Sequence, residues 1–143
     1  MTRAVRIVTI ATGLVLLLAT AASARLIIIS IGKIEANRHI AGFVSGLTPE
    51  ERAVHKVLVY IHTDQWHIHR GTRGRAGRSY ATIGDDGNWK LRTVRGKTAA
   101  DKVGAIVVPM EYAPPATIER LADVPHLSIT IRNINHTPDD GKL

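Results

Sequence analysis

The chain contains no cysteine and only six aromatic rings in 143 residues. The first absence excludes a disulfide framework, a thiol nucleophile, an iron–sulfur cluster and cysteine-ligated zinc. The second means that any core is built mainly from aliphatic side chains. The length excludes a multi-domain enzyme and leaves about one domain plus a terminal segment. A Gly-x-Ser-x-Gly nucleophile elbow, a phosphate loop and a dinucleotide fingerprint are also missing. Glycoside hydrolysis needs two placed carboxylates. The paired acids, Glu50-Glu51, Asp85-Asp86 and Asp139-Asp140, stand in turn or tail contexts. A non-catalytic protein without a cofactor is therefore expected.

What is present is apolar surface and positive charge. Hydrophobic residues make up 45% of the chain, too many for wholesale disorder, and 19 lysines and arginines face 12 acids. Arg3 and Arg6 precede an uncharged run of eighteen residues, Ile7 to Ala24. A positive start before an apolar stretch is the pattern of a secretory signal, and Ala22-Ser23-Ala24 fits a small-x-small cleavage site. A second apolar run, Leu26 to Ile31, follows Arg25 at once. Ile7 to Ile31 covers 25 residues, and a helix of that length crosses a hydrocarbon core of ~30 Å with some tilt. Arg25 would then snorkel to the headgroups. Residues 1–32 thus read as a signal peptide cleaved after Ala24 or as a retained transmembrane anchor. Both put the rest outside the cytoplasm, inner-membrane anchored or secreted into the periplasm. A buried helix of a soluble protein is the plainer alternative. An exported domain without cysteine must hold by packing alone.

From residue 38 the pattern changes to short β-type runs between turn residues. Ile40–Val44 is a first strand, and Thr48 to Glu51 a loop or a single helical turn. Lys56–His62 is apolar on both faces, as a central strand should be. Trp66–His69 continues it after a break. Ser79–Ile83 and Trp89–Val94 read as a hairpin around Asp85-Asp86-Gly87-Asn88. Lys102–Pro109 is another buried strand, Thr117–Val124 has helical spacing, and Leu127–Ile134 alternates as a half-exposed last strand. The polar residues 135–143 read as a flexible tail. The expected fold class is all-β: an antiparallel β-sandwich of about seven strands over residues 38–134, preceded by the N-terminal hydrophobic helix.

The runs Gly42-Phe-Val-Ser-Gly-Leu47, Lys56-Val-Leu-Val-Tyr-Ile-His-Thr-Asp-Gln-Trp66, Asp86-Gly-Asn-Trp89, Ala105-Ile-Val-Val-Pro109 and Tyr112-Ala-Pro-Pro115 carry a resemblance. Over residues 38–115 the chain resembles exported bacterial β-sandwich modules of the carboxypeptidase-regulatory-like, transthyretin-like and carbohydrate-binding-like kinds. The resemblance implies a sandwich fold and a place in the bacterial envelope, often beside extracellular polysaccharide. It supplies no catalytic residues.

Three features suggest binding chemistry. His67 and His69 alternate on one strand, and His62 adds a third imidazole if the chain bulges at Thr63-Asp64. Such a set would favour zinc or copper; the plainer reading is histidines at the rim of a strand. Arg70, Arg73, Arg75 and Arg78 share nine residues with three glycines and no acid. Arginine's planar fork suits phosphate, sulfate or carboxylate. Across residues 70–102 nine basic groups face three acids, and Lys90 and Arg92 alternate on one face, extending the positive field onto the sheet. The plainer reading is a solvated loop. Trp66 and Trp89, beside Asp64, Gln65 and Asn88, have the look of a sugar-stacking face; the alternative is two core tryptophans.

These features lead to a non-catalytic envelope module that binds a polysaccharide or an anionic polymer. An accessory subunit docked on a larger membrane protein is the second expectation, and a small histidine-metal protein the third. Export argues against nucleic acid as a partner.

Overall fold

A computed structural model describes residues 25–35, 38–69, 80–93 and 99–134. Of these, 55% lie in strands and 9% are helical, and every strand pairing is antiparallel. The expected all-β class holds at that level. The strands are β1 (Ile28–Glu35), β2 (His39–Ser45), β3 (His55–His62), β4 (Trp66–Ile68), β5 (Tyr80–Thr82), β6 (Asn88–Arg92), β7 (Lys102–Pro109), β8 (Thr117–Ile118) and β9 (Ser128–Asn133). They form two sheets. The smaller has the order β1-β2-β6; the larger has β8-β4-β3-β7-β9, with β5 also on β3.

β3 and β7 are the centre of the larger sheet, paired from His55↔Pro109 to His62↔Lys102. Both are apolar on two faces because both faces are covered. Val57, Val59, Val103, Ala105 and Val107 share a core cluster with Ile29, Ile40, Val44, Trp89 and Leu91 of the smaller sheet. On the opposite face Leu58, Tyr60, Ile106 and Val108 pack with Trp66, Leu121 and Val124. The segment from Met110 to Val124 thus covers the second face. Polar pins hold it there: Tyr60 Oη donates to the Pro115 carbonyl at 2.9 Å, and Lys56 Nζ to the Tyr112 carbonyl at 2.8 Å.

The connection from β2 to β3 is a short helix, α1 (Pro49–Ala53). Thr48 and Glu51 close a capping box at its start, each bonding the other's backbone N–H. The single helical turn expected there is this helix.

Three expectations are corrected. The boundary at residue 32 falls inside β1, so Leu26–Ile31 is not the end of a spanning helix. Its β-branched isoleucines enter a strand that pairs with β2 along its length, with an irregularity between Ile31 and Lys33. The turn between Ser79–Ile83 and Trp89–Val94 exists, with Gly87 at φ 84° and the Gly84 N–H bonded to the Asn88 carbonyl. Among the described residues its arms pair only at the Ile83↔Trp89 bridge, after which β5 joins the larger sheet and β6 the smaller. Thr117–Val124 is not an α-helix. Thr117 and Ile118 pair with β4, and only Leu121–Asp123 makes a 3-10 turn. The expected N-terminal helix and tail lie outside the described residues. Among the described residues no helix is long and apolar enough to cross a membrane.

Candidate functional site

The two tryptophans occupy the interior. Trp89 is 2% exposed and Trp66 6%. Trp89 stands opposite Gly42 across β2 and β6, and a Cβ at Gly42 would come within 2.7 Å of the indole. Glycine at 42 is what lets the ring lie flat against the strand. The indole N–H of Trp89 meets no partner. Trp66 packs beneath Leu121 and meets His62 edge-on, ring centroids 5.0 Å apart. Neither ring offers an open face for a pyranose.

The three candidate metal histidines do not converge. His62 Nδ1 lies 2.7 Å from Asp101 Oδ1, and His67 Nε2 lies 2.9 Å from Asp64 Oδ1. His69 is buried, with Nδ1 unpartnered, and burial holds its imidazole below the usual histidine range. The alternation of His67 and His69 does not yield a shared site: His67 pairs with Asp64, while His69, whose backbone N–H continues the β3–β4 ladder to the Val59 carbonyl, is buried. Among the described residues no group of three or more candidate ligands gathers around one point. The Asp64 and Asp101 carboxyls are both held below the ordinary range, chiefly by their histidine bonds. Both line a surface hollow of about 560 Å³ with Thr63, His67 and Ala99.

Arg70, Arg73, Arg75 and Arg78 lie outside the described residues. The extension of the positive field onto the sheet can be followed. Along β6, Trp89 and Leu91 point inward while Asn88, Lys90 and Arg92 are exposed. Lys90 faces Ala41 and Arg92 faces His39 on β2. Lys33, on β1, faces Ala41 from the other side. The small Ala41 side chain leaves a floor beside Lys90, and an open hollow of about 390 Å³ there is lined by His39, Ala41, Asn88, Trp89 and Lys90, among others, while Lys33 and Arg92 lie outside its lining. Glu35 is the nearby acid. Lys33 and His39 both engage its carboxylate, which is held below the usual range chiefly by the Lys33 bond. Lys90 and Arg92 form no ion pair among the described residues. The sequence pointed to Lys90 and Arg92 by their alternation. It gave no sign of Lys33 and His39, which reach this face only through the β1–β2 pairing.

A third hollow, about 710 Å³, lies between the covering segment and β9, lined by Trp66, Lys102, Leu121, Ile129 and Ile131 among others. Its floor is apolar, and its charged residues, Lys102, Glu119 and Arg120, are of both signs. No family model, curated protein or solved structure matches the chain, so nothing identifies a carboxypeptidase-regulatory-like or related domain.

Proposed function

We propose that this chain is a non-catalytic, exported and membrane-tethered β-sandwich module that binds an anionic polymer of the envelope through the outer face of its smaller sheet. The sandwich reading is supported by the core cluster to which both sheets contribute. The tether reading is supported by the uncharged run Ile7 to Ala24 after Arg3 and Arg6. The binding reading rests on one observation. Lys90 and Arg92 stand side by side on exposed β6, without acidic partners among the described residues, over a floor set by Ala41. An unneutralised pair on a flat sheet attracts a polyanion without needing a deep pocket. The arginine-glycine stretch 70–78 adds charge in sequence to the same half of the chain.

Between the two ligands expected from sequence, the anionic polymer is favoured over a neutral polysaccharide. Sugar stacking needs exposed rings, and both indoles are buried. The test is retention of the full chain in mild detergent on immobilised heparin, a sulfated polysaccharide, across a salt series. The chain should elute at raised salt, and Lys90→Ala with Arg92→Ala should elute earlier. Unchanged elution of the double variant rejects this face as the site.

A further inference from the structure

Six large apolar side chains are exposed among the described residues, and five of them share one end of the molecule. Leu26 is 75% exposed, Val54 55%, Ile28 49%, Leu127 44% and Phe43 42%. The strand registers fix their common position. Ile28 begins β1 and faces Ser45, the last residue of β2. Phe43 faces Asn88, the first residue of β6, and its ring lies against the Gly87 turn. The Leu26 carbonyl abuts Gly46, just past β2. Val54 precedes β3, and its carbonyl accepts from Met110, just past β7. Leu127 donates its N–H to Val107 near the end of β7. Ile131, opposite Gly104, is the exception.

This is also the end at which the chain arrives from its apolar N-terminal run. That run ends at Ala24 and β1 starts at Ile28, so three residues join them. Three extended residues reach about 10 Å. Arg25 is further tied to Glu51 of α1, at 2.5 Å, which shortens the free reach. With residues 7–24 in a bilayer, as the tether reading above proposes, a domain on so short a leash could not stand clear of it. Its near end must lie at the level of the headgroups, and the side chains it presents there are apolar.

We propose that Leu26, Ile28, Phe43, Val54 and Leu127 form a rim seated in the interfacial layer of that bilayer. Apolar side chains gain by leaving water at this depth. The seat holds the domain upright and directs the far end of the smaller sheet, with Lys33 and Arg92, away from the lipid. Glu50, Glu51, Asp85 and Asp86 outnumber Arg25 and Arg52 at the near end, so the partner is a zwitterionic lipid interface reached through apolar contact, not an anionic one reached through charge. The inference rests on the tether part of the reading above and is independent of the anionic polymer.

The lack of native cysteine allows clean labelling. An environment-sensitive fluorophore is placed by Phe43→Cys, by Val54→Cys and, as the far-end comparison, by Asn133→Cys. Each full-length variant is assembled into phosphatidylcholine nanodiscs at one chain per disc, with some lipids carrying a headgroup-level quencher. Several-fold stronger quenching at 43 and 54 than at 133 is expected. Equal quenching at all three positions overturns the rim, as does shielding at 43 and 54 that needs two chains per disc, which would mark contact between copies. Intact mass of the cellular protein separates the two readings. A chain starting at Arg25 in the soluble fraction overturns tether and rim together; Met1 retained in the membrane with equal quenching overturns the rim alone.

Discussion

Gly42 and Trp89 face each other across β2 and β6 so closely that a methyl group at 42 would stand 2.7 Å from the indole and 1.9 Å from the Ser30 carbonyl oxygen. The ring is therefore a structural member of the smaller sheet. Gly42→Ala forces strand and ring apart, and overpacking of this kind costs about 1–3 kcal/mol. Denaturant unfolding of the variant should show a lower midpoint with an unchanged slope. An unchanged midpoint would contradict the packing described here.

Trp89→Ala empties the core between the sheets, and large-to-small changes at buried aromatic sites cost about 3–5 kcal/mol. The same substitution at Trp66 opens the space beneath Leu121 and should also destabilise. Heparin retention per folded molecule should stay the same in both, because both indoles are buried and the exposed cations Lys90 and Arg92 remain. Loss of retention in a variant with native stability would restore the tryptophans as ligand contacts.

The covering segment is held by polar pins on an apolar floor. Tyr60→Phe removes the bond to the Pro115 carbonyl and leaves that oxygen to find water. A net loss of about 0.5–1.5 kcal/mol follows from an ordinary hydrogen bond. Burial also pushes the Tyr60 hydroxyl up to about 12, so the late-ionising hydroxyl seen by spectrophotometric titration of the folded chain should be missing in Tyr60→Phe. Unchanged stability of Tyr60→Phe would show that the pin contributes nothing, and the absence of a late-ionising hydroxyl in the parent chain would contradict the burial of Tyr60.

Acid should act at the end where β3 turns into β4. Asp64 and Asp101 are depressed by their bonds to His67 and His62. A carboxyl with a lowered folded pKa contributes stability that is present above its unfolded value, about 3.9, and is lost as pH falls through the folded value. Melting temperature should therefore drop as pH falls below about 4. The drop should be shallower in Asp101→Asn, whose contribution is already missing. Equal slopes in the two proteins would show that the pair does not form in solution.

Much of the architecture was legible because the local pattern and the pairing agree. Within Lys102–Pro109, Val103 to Val108 is apolar apart from Gly104, with Tyr112-Ala-Pro-Pro marking the stop beyond it, and β7 occupies those residues. Val57, Val59 and Ile61 alternate with Leu58 and Tyr60, and β3 is central. The misreadings share a cause: local sequence does not specify a distant partner. Leu26–Ile31 is apolar except for Ser30, and periodicity alone cannot divide so short a run between spanning helix and strand. Only the pairing with β2 decides it. The 84–88 turn was readable from Gly87, but the divergence of β5 and β6 depends on β3 and β2 offering edges in different sheets. Thr117-Ile118 has helical neighbours in sequence and a strand partner in space. The basic face was half legible. Lys90 and Arg92 alternate within one strand, whereas Lys33 and His39 join them across strands. The burial of the tryptophans had no sequence signal beyond the scarcity of other rings.

The most direct measurement of the central claim is a map of backbone amide shifts in the detergent-solubilised full chain as a defined heparin oligosaccharide is added. Shifts should concentrate at Lys33, His39, Ala41, Lys90 and Arg92 and fade as salt is raised. Shifts centred on the hollow beside Trp66, or none at a concentration where the chain is retained on heparin, would contradict the account.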